Sequence, residues 1–406
     1  MQQQYDGMLM SMLDNDAYKF TMQQFVLHNH PKVEVEYEFK VRSDNMGSKL
    51  ATYSQMIKDE IYKMCDLKLS KEEIKFLKSS HIFKNDYVNW LSNFKYDPIN
   101  NVKINNVNGE LNIIIKGIWS NVILYEVPIL AIVSEIASKV QIGYDEDIAL
   151  KRSFNGIIDK MDKIKSHELS KKFKFADFGT RRRLSAKNQD LVVSTFAKHF
   201  IWDVSEHNQF VGTSNVHLAR IHNVKFIGTM AHELFMAYQV LAPLNKFQGE
   251  LLDMWNNEYE GALGIALTDT IGVDSFLKEF HLGRAKLYDG VRHDSGDPVE
   301  FGEKVVEHYI SLGIDPLTKS IIFSDGLTID KALELLSHFD KKINVSFGIG
   351  THLTNDVEGI SPTSMVIKIQ EVEGCPVAKI SDEPIKAICR SSKFLEYLKE
   401  LYQVSV

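Results

Sequence analysis

Cysteine is scarce: three among 406 residues, Cys65, Cys375 and Cys389, an odd number with no CxxC pair. Neither a disulfide framework nor a thiolate zinc site is suggested, and a reducing compartment is expected. No uninterrupted apolar run approaches the roughly 20 residues of a membrane-spanning helix, and the opening residues lack a basic segment followed by an apolar one. The expectation is a cytoplasmic protein with no membrane partner. Excess basic charge is missing too: 47 Lys+Arg against 54 Asp+Glu give a formal charge of −7. General attraction to nucleic acid is thereby disfavoured, and any anion must be bound by a local pocket. There is not one Gly-Lys dipeptide, hence no P-loop, and HELFM at 232–236 is not the zinc motif HExxH because Met236 holds the second histidine position.

What is present is the balance of a globular protein, 44% hydrophobic and 25% charged. The length predicts one large catalytic domain and a smaller one. Residues 14–28 read as a helix, and 33–41 as a strand, since Val33, Val35, Tyr37, Phe39 and Val41 alternate with charged residues. Helices are expected at 52–65, 71–79 and 87–94 and strands at 111–116 and 122–125, which makes an α+β domain over 1–140. Pro128 sits in the first turn of a buried helix at 129–140.

From about residue 174 short apolar runs end in Gly, Ser, Thr, Asp or His and each leads into a helical pattern. Seven such strand ends fall at 175–183, 210–215, 226–232, 265–270, 287–298, 321–326 and 345–356. Serial strand-then-helix units imply parallel strands, and this many favour a β/α barrel over 141–359. The interval from Gly212 to Gly228 is too short for a full helix, so the barrel is expected to be irregular. Strands at 364–369 and 376–380 and a helix at 391–402 are expected to rejoin the first domain.

In such barrels the loops after the strands form the active face. FGIGTH (347–352) offers Gly348, Gly350 and Thr351 between a strand and a helix, where backbone N–H groups could cradle a phosphate or simply make a tight turn. Ser324 and Asp325 could add donors to the same anion. In RHDSGDP (292–298), Asp294 between His293 and Ser295 suits ribose hydroxyls, Gly296 admits a sugar closely, and Arg292 can hold a carboxylate or phosphate. Asp297 and Pro298 read as a helix cap and first turn. Of Arg181, Arg182 and Arg183, at most two can reach one pocket, and acid pairing or solvation is expected of the rest. Tyr18 and Phe178 are aromatics beside polar residues, either core or a clamp for a flat ring. His232, taken alone, reads as structural.

Taken together, LDNDAYKFTMQQF, FGTRRR, GTSN, GTMAHE, RHDSGDP, SDG and FGIGTHLTND, in this order from Leu13 to beyond Asp356, resemble the nicotinate phosphoribosyltransferase family. The resemblance implies a type II phosphoribosyltransferase fold, an irregular β/α barrel with an N-terminal α+β domain. It also implies a reaction of nicotinate with phosphoribosyl pyrophosphate, coupled to ATP hydrolysis, with Mg2+ neutralising the leaving pyrophosphate, in NAD salvage. Carried onto this chain, Tyr18 and Phe178 would sandwich the pyridine ring, with Thr229 and Arg292 near the nicotinate carboxylate and Asp294 on the ribose. Arg181, Gly348, Gly350 and Thr351 would line the phosphate region, and His232 would be transiently phosphorylated.

Relatives using nicotinamide carry an acid where this chain has Ser214, which favours a carboxylate substrate. An arginine deprived of that carboxylate would cost about 1.5–3 kcal/mol. A nicotinamide or quinolinate enzyme, or a non-catalytic phosphoribosyl or nucleotide sensor, is the alternative. The resemblance further suggests a homodimer in which Tyr18 reaches the neighbouring subunit's site. No metal ligand is assigned.

Overall fold

Alternation sets the first strands. In β1 (Glu34–Val41) the side chains of Val35, Tyr37 and Phe39 are buried while their neighbours are not, and in β3 (Glu110–Ile118) Leu111, Ile113 and Ile115 form the buried row. Between them in sequence lies β2 (Val102–Val107). β3 pairs antiparallel with both, with Tyr37 opposite Ile115 and Ile104 opposite Ile113, so apolar rows stack on one face. Ahead of β2, the helix Lys71–Ser79 begins with a reciprocal cap: Ser70 accepts from the Glu73 N–H, and Glu73 accepts from the Ser70 N–H.

The computed structural model describes residues 7–42, 46–141, 143–200, 209–383 and 386–404. It divides into two compact units that interleave along the chain. The first comprises Met1–Asp162, Ala176–Ile227 and Gly350–Lys368, and the second Lys163–Phe175, Gly228–Ile349 and Ile369–Val406.

In the first unit the opening helix runs Ala17–Asn29 and buries most of its length; the three residues before it, expected in the helix, are extended or turned and serve the site instead. Residues 122–125, expected as a strand, are helical. Trp119–Val122, Ile123–Tyr125 and Glu126–Lys139 follow one another without a break, and Pro128 stands in the first turn of the last. A run of four apolar residues, buried throughout, has no period by which to tell strand from helix. The stretch Trp119–Lys139 is long and apolar enough to cross a membrane, but 94% of its most apolar window is buried inside the protein, as in the core helix of a folded unit. The short strands β4 (Phe175–Asp177) and β5 (Phe210–Thr213) then bring in the polar loops. Residues 226–232, the third expected strand end, make only an isolated bridge, Thr213 with Phe226, because the chain from Gly212 is too short for a complete crossover unit.

The second unit carries the parallel strands β6 (Ile265–Leu267), β7 (Gly290–His293), β8 (Ser320–Phe323) and β9 (Asn344–Ile349), each paired with the next. Leu267 lies beside Arg292 and His293 beside Phe323, so the carboxyl ends of β6, β7 and β8 share one edge. Intervening helices include Pro298–Ser311 and Ile329–Phe339, with inward residues such as Phe301, Val305, Leu335 and Phe339 buried. The closing helix Ser392–Tyr402 is capped by Ser391, which accepts from the Phe394 N–H.

Candidate active site

Two polar clusters occupy loop ends, one in each unit. In the first unit the organiser is Asp177, the last residue of β4 and fully buried. Its Oδ2 accepts from Thr213 Oγ1 at 2.7 Å and Gln189 Nε2 at 2.9 Å, and its Oδ1 from the Gly179 N–H at 2.8 Å. Burial pushes this carboxyl up to about 6, the three hydrogen bonds opposing. Gly179 is required by close approach, since a Cβ there would stand 2.1 Å from Thr354 Oγ1. Thr354 Oγ1 donates to the Gly179 carbonyl and Asn355 Nδ2 to the Arg182 carbonyl, which fastens the end of THLTN onto the FGTRRR loop.

The three arginines part company here. Arg183 is buried and gives two N–H groups to Asp14, at 2.6 and 2.9 Å. Arg182 donates to the Met365 carbonyl. Arg181 keeps 41% of its side chain exposed, 3.8 Å from Glu126. Glu126 also takes Lys19 at 2.6 Å, and although burial raises it, Lys19, Lys368 and Arg181 together hold its carboxyl down at about 2. Three cations stand against two carboxylates here, Glu126 and Asp16, an excess of positive charge. Asp16 accepts from Ser214 Oγ at 2.7 Å and is raised by burial, with Arg181 opposing. Tyr18 and Phe178 are half-buried, unlike the core aromatics around them. Gly350 packs against the Phe178 carbonyl, and Thr351 opens the single turn Thr351–Thr354.

In the second unit Asp269, just beyond β6, has both oxygens engaged. Oδ1 lies 2.7 Å from His232 Nε2; Oδ2 accepts from Ser295 Oγ at 2.6 Å and from Lys379 Nζ at 2.8 Å. All four residues are buried. Burial would raise Asp269, but Lys379 and His232 outweigh it and hold the carboxyl well below its usual range. His232 is brought down to about 4, chiefly by burial and next by Lys379, against the pull of Asp269 and Asp294. The imidazole is therefore neutral at neutral pH. With Nε2 on Asp269, its Nδ1 makes no hydrogen bond among the described residues.

Asp294 points its Oδ2 toward His232 at 3.7 Å and offers Oδ1 to Ser324 Oγ at 3.1 Å, with 31% of its side chain exposed. Burial works against its charge, and Arg292 and His232 more than compensate. Arg292, one residue before the end of β7, has a buried Nε with no partner. Thr229 Oγ1 donates to the Ile265 carbonyl at the start of β6. Gly296 adopts φ +83°, a left-handed turn that suits glycine, and its N–H donates to Glu383 at 2.9 Å. Asp325 pairs with Lys386 at 2.8 Å. Asp297 is an N-cap as expected, accepting from the Val299 and Glu300 N–H groups, with Pro298 at the first helical position. Gly348 lies buried within β9 rather than in the turn after it.

His232, Asp269 and Asp294 offer ligand atoms within 4.8 Å of one another. The set does not fit a resident magnesium ion. Mg2+ prefers an octahedron of oxygens, whereas here one donor is a nitrogen and an ammonium and a hydroxyl already occupy Asp269.

Sequence reasoning thus placed His232, Ser295, Asp294 and Ser324 in what proves to be one cluster, and missed Asp269 and Lys379. Asp269 stood in a recognised strand end, IALTDT, without a role. Of residues 376–380, expected as a strand rejoining the first domain, Pro376 does pair with Glu371 in the sheet of β1, β2 and β3, whereas 378–380 lie against the strand ends of the second unit, where the Ile380 N–H donates to the Thr270 carbonyl.

Parallel strands that end together on acids, hydroxyls, a histidine and an arginine define an α/β enzyme whose chemistry sits at the strand ends. Residues 173–406 match the model of the nicotinate phosphoribosyltransferase (NAPRTase) family, and residues 13–134 that of its N-terminal domain. A nicotinate phosphoribosyltransferase of Pseudomonas savastanoi pv. phaseolicola is 46% identical over 398 residues, 97% of this chain and 95% of the relative. One from Enterobacter sp. is 43% identical over 98% of this chain and 96% of its own. The crystal structure of the Vibrio cholerae nicotinate phosphoribosyltransferase superposes with a TM-score of 0.91 at 39% identity, covering 98% of this chain and 95% of that one. That from Porphyromonas gingivalis gives 0.89 at 32%, covering 97% and 99%. The chain belongs to the nicotinate phosphoribosyltransferase family and has its fold, the irregular β/α barrel with an N-terminal α+β domain expected from the sequence.

Proposed function

We propose that this chain joins nicotinate to phosphoribosyl pyrophosphate, forming nicotinate mononucleotide and pyrophosphate, as its relatives' names say of them. The observation that carries this reading is Arg292, a guanidinium at a strand end with a buried N–H left unpartnered, the donor a substrate carboxylate would satisfy. The pyridine nitrogen brings its own lone pair, so no general base is needed. Charge building at the ribose anomeric carbon is eased by Asp294, and the leaving pyrophosphate is met by Arg181 in its positive surroundings. Magnesium enters with the pyrophosphate as part of the substrate. Tyr18 and Phe178, half-buried, are the rings offered to the pyridine.

ATP hydrolysis is coupled through His232. The Nδ1 lone pair, free while Asp269 holds Nε2–H, takes the γ-phosphoryl group from ATP with release of ADP, and water later removes it as phosphate. The protein acts in the cytoplasm, as a homodimer, in NAD salvage; its charge of −7 supports the absence of nucleic-acid and membrane partners.

The test is product formation from nicotinate, nicotinamide and quinolinate, each with and without ATP. Faster consumption of nicotinamide or quinolinate overturns the substrate assignment, and binding of phosphoribosyl pyrophosphate without product would make the chain a sensor. Full acid-labile phosphorylation of a His232→Ala variant would remove His232 from the ATP step.

A further inference from the structure

We infer that Lys379 is a positioning residue for His232: by neutralising Asp269 from the far side, it keeps the imidazole as the neutral Nε2–H tautomer with Nδ1 unprotonated. The geometry is a chain of three buried groups. Lys379 Nζ lies 2.8 Å from Asp269 Oδ2, and Asp269 Oδ1 lies 2.7 Å from His232 Nε2. Lys379 is 6% exposed and Asp269 1%, so water screens neither.

Charge counting gives the consequence. A carboxylate this deep needs one positive partner. With Lys379 present that requirement is met and the histidine has no reason to take a second proton. With the ammonium removed, the nearest group able to supply the charge is His232 itself, and an imidazolium carries a proton on Nδ1 and cannot attack phosphorus. The other groups facing His232 do not substitute for Lys379. Asp294, 3.7 Å from Nε2, is a second carboxylate that would favour the imidazolium, and the charge of Arg292 acts on Asp294, whose ionised form it favours.

Lys379 is held where this role requires it. Gln239 exchanges hydrogen bonds with both the N–H and the carbonyl of Ala378, at 2.8 and 2.7 Å, and the Ile380 N–H donates to Thr270 at 2.8 Å. Beyond it, Ser381 Oγ donates to Ser295 Oγ at 3.0 Å, Glu383 accepts from the Gly296 N–H, and Lys386 pairs with Asp325. The segment therefore straps the loops after β6, β7 and β8, and Lys379 is its only charged side chain on Asp269 among the described residues.

This inference rests on the proposed phosphorylation of His232 for its purpose but not for its first readout. Imidazole 15N resonances of the resting full-length enzyme report tautomer and titration directly. Wild type is expected to show a neutral Nε2–H ring from pH 5.5 to 8. In Lys379→Met the His232 midpoint should rise by at least about one pH unit, and Lys379→Arg should resemble wild type. Lys379→Gln, which keeps a hydrogen bond to Asp269 without the charge, should behave as Lys379→Met and serves if the latter does not fold. An unchanged His232 midpoint in either folded neutral variant overturns the inference. Acid-labile phosphorylation, measured alongside, should show its acid limb displaced upward by the same one unit or so in the neutral variants and match wild type by pH 8. Wild-type enzyme that shows the expected resonances but never labels would refute the phosphorylation reading and leave the role of Lys379 standing.

Discussion

Arg183 and Asp14 form a two-pronged ion pair, each side chain 1% exposed, that ties the FGTRRR loop to the segment preceding the opening helix. Asn215 adds a third hydrogen bond to Asp14 at 2.7 Å. Removing one partner would leave a buried uncompensated charge. Arg183→Met is expected to destabilise the protein by about 3–5 kcal/mol, read as a lowered urea midpoint. A shift below about 1 kcal/mol, the scale of a surface pair, would mean that water reaches Asp14.

Asp297 lies in the same motif as Asp294 yet caps a helix through two N–H groups. Asp297→Ala should cost about 1 kcal/mol of stability while kcat and KM stay within twofold. A tenfold loss of kcat in folded protein would return Asp297 to the chemistry.

Ser214 donates to a buried acid, Asp16, so the loop that lacks an acid of its own already faces one. Ser214→Asp would set two carboxylates within hydrogen-bonding distance, where both cannot ionise cheaply. Steady-state kinetics should show kcat/KM for nicotinate falling about tenfold or more relative to nicotinamide. An unchanged ratio would separate Ser214 from substrate choice.

His232 also predicts an acid dependence of stability. Its proton affinity is brought from 6.5 in the unfolded chain to about 4 in the fold. Between those values the unfolded chain holds more protons, so stability falls as pH drops from 6.5 toward 4, by up to about 3 kcal/mol. Above 6.5 the group contributes nothing. Asp177 and Asp382, both raised by burial to about 6, act in the opposite sense over part of that window. The comparison must therefore be differential: unfolding free energy against pH should decline less steeply in His232→Gln than in wild type. Parallel curves would show that His232 is not buried neutral.

The sequence carried much of this protein openly. Alternation in 33–41 yields β1 because a strand buried on one face must place apolar residues at every second position. Asp-Pro at 297–298 starts a helix because cap and first-turn chemistry are local. Strand ends at 265–270, 287–298 and 321–326 were legible for the same reason, as each short apolar run closes in its own polar turn. Where the signal was not local, it failed. The run at 122–125 is buried on every side and has no period, and it became helix under the packing of its neighbours. Arg181, Arg182 and Arg183 are identical in composition, and only the fold separates an exposed cation, a carbonyl donor and a buried ion pair. The pairings of Asp269 with His232 and with Lys379 span 37 and 110 (379 − 269) residues of chain. Hydrogen bonds across such separations are set by which strand ends come to lie together, so the histidine could be found in the sequence, while its protonation state was decided by the tertiary structure.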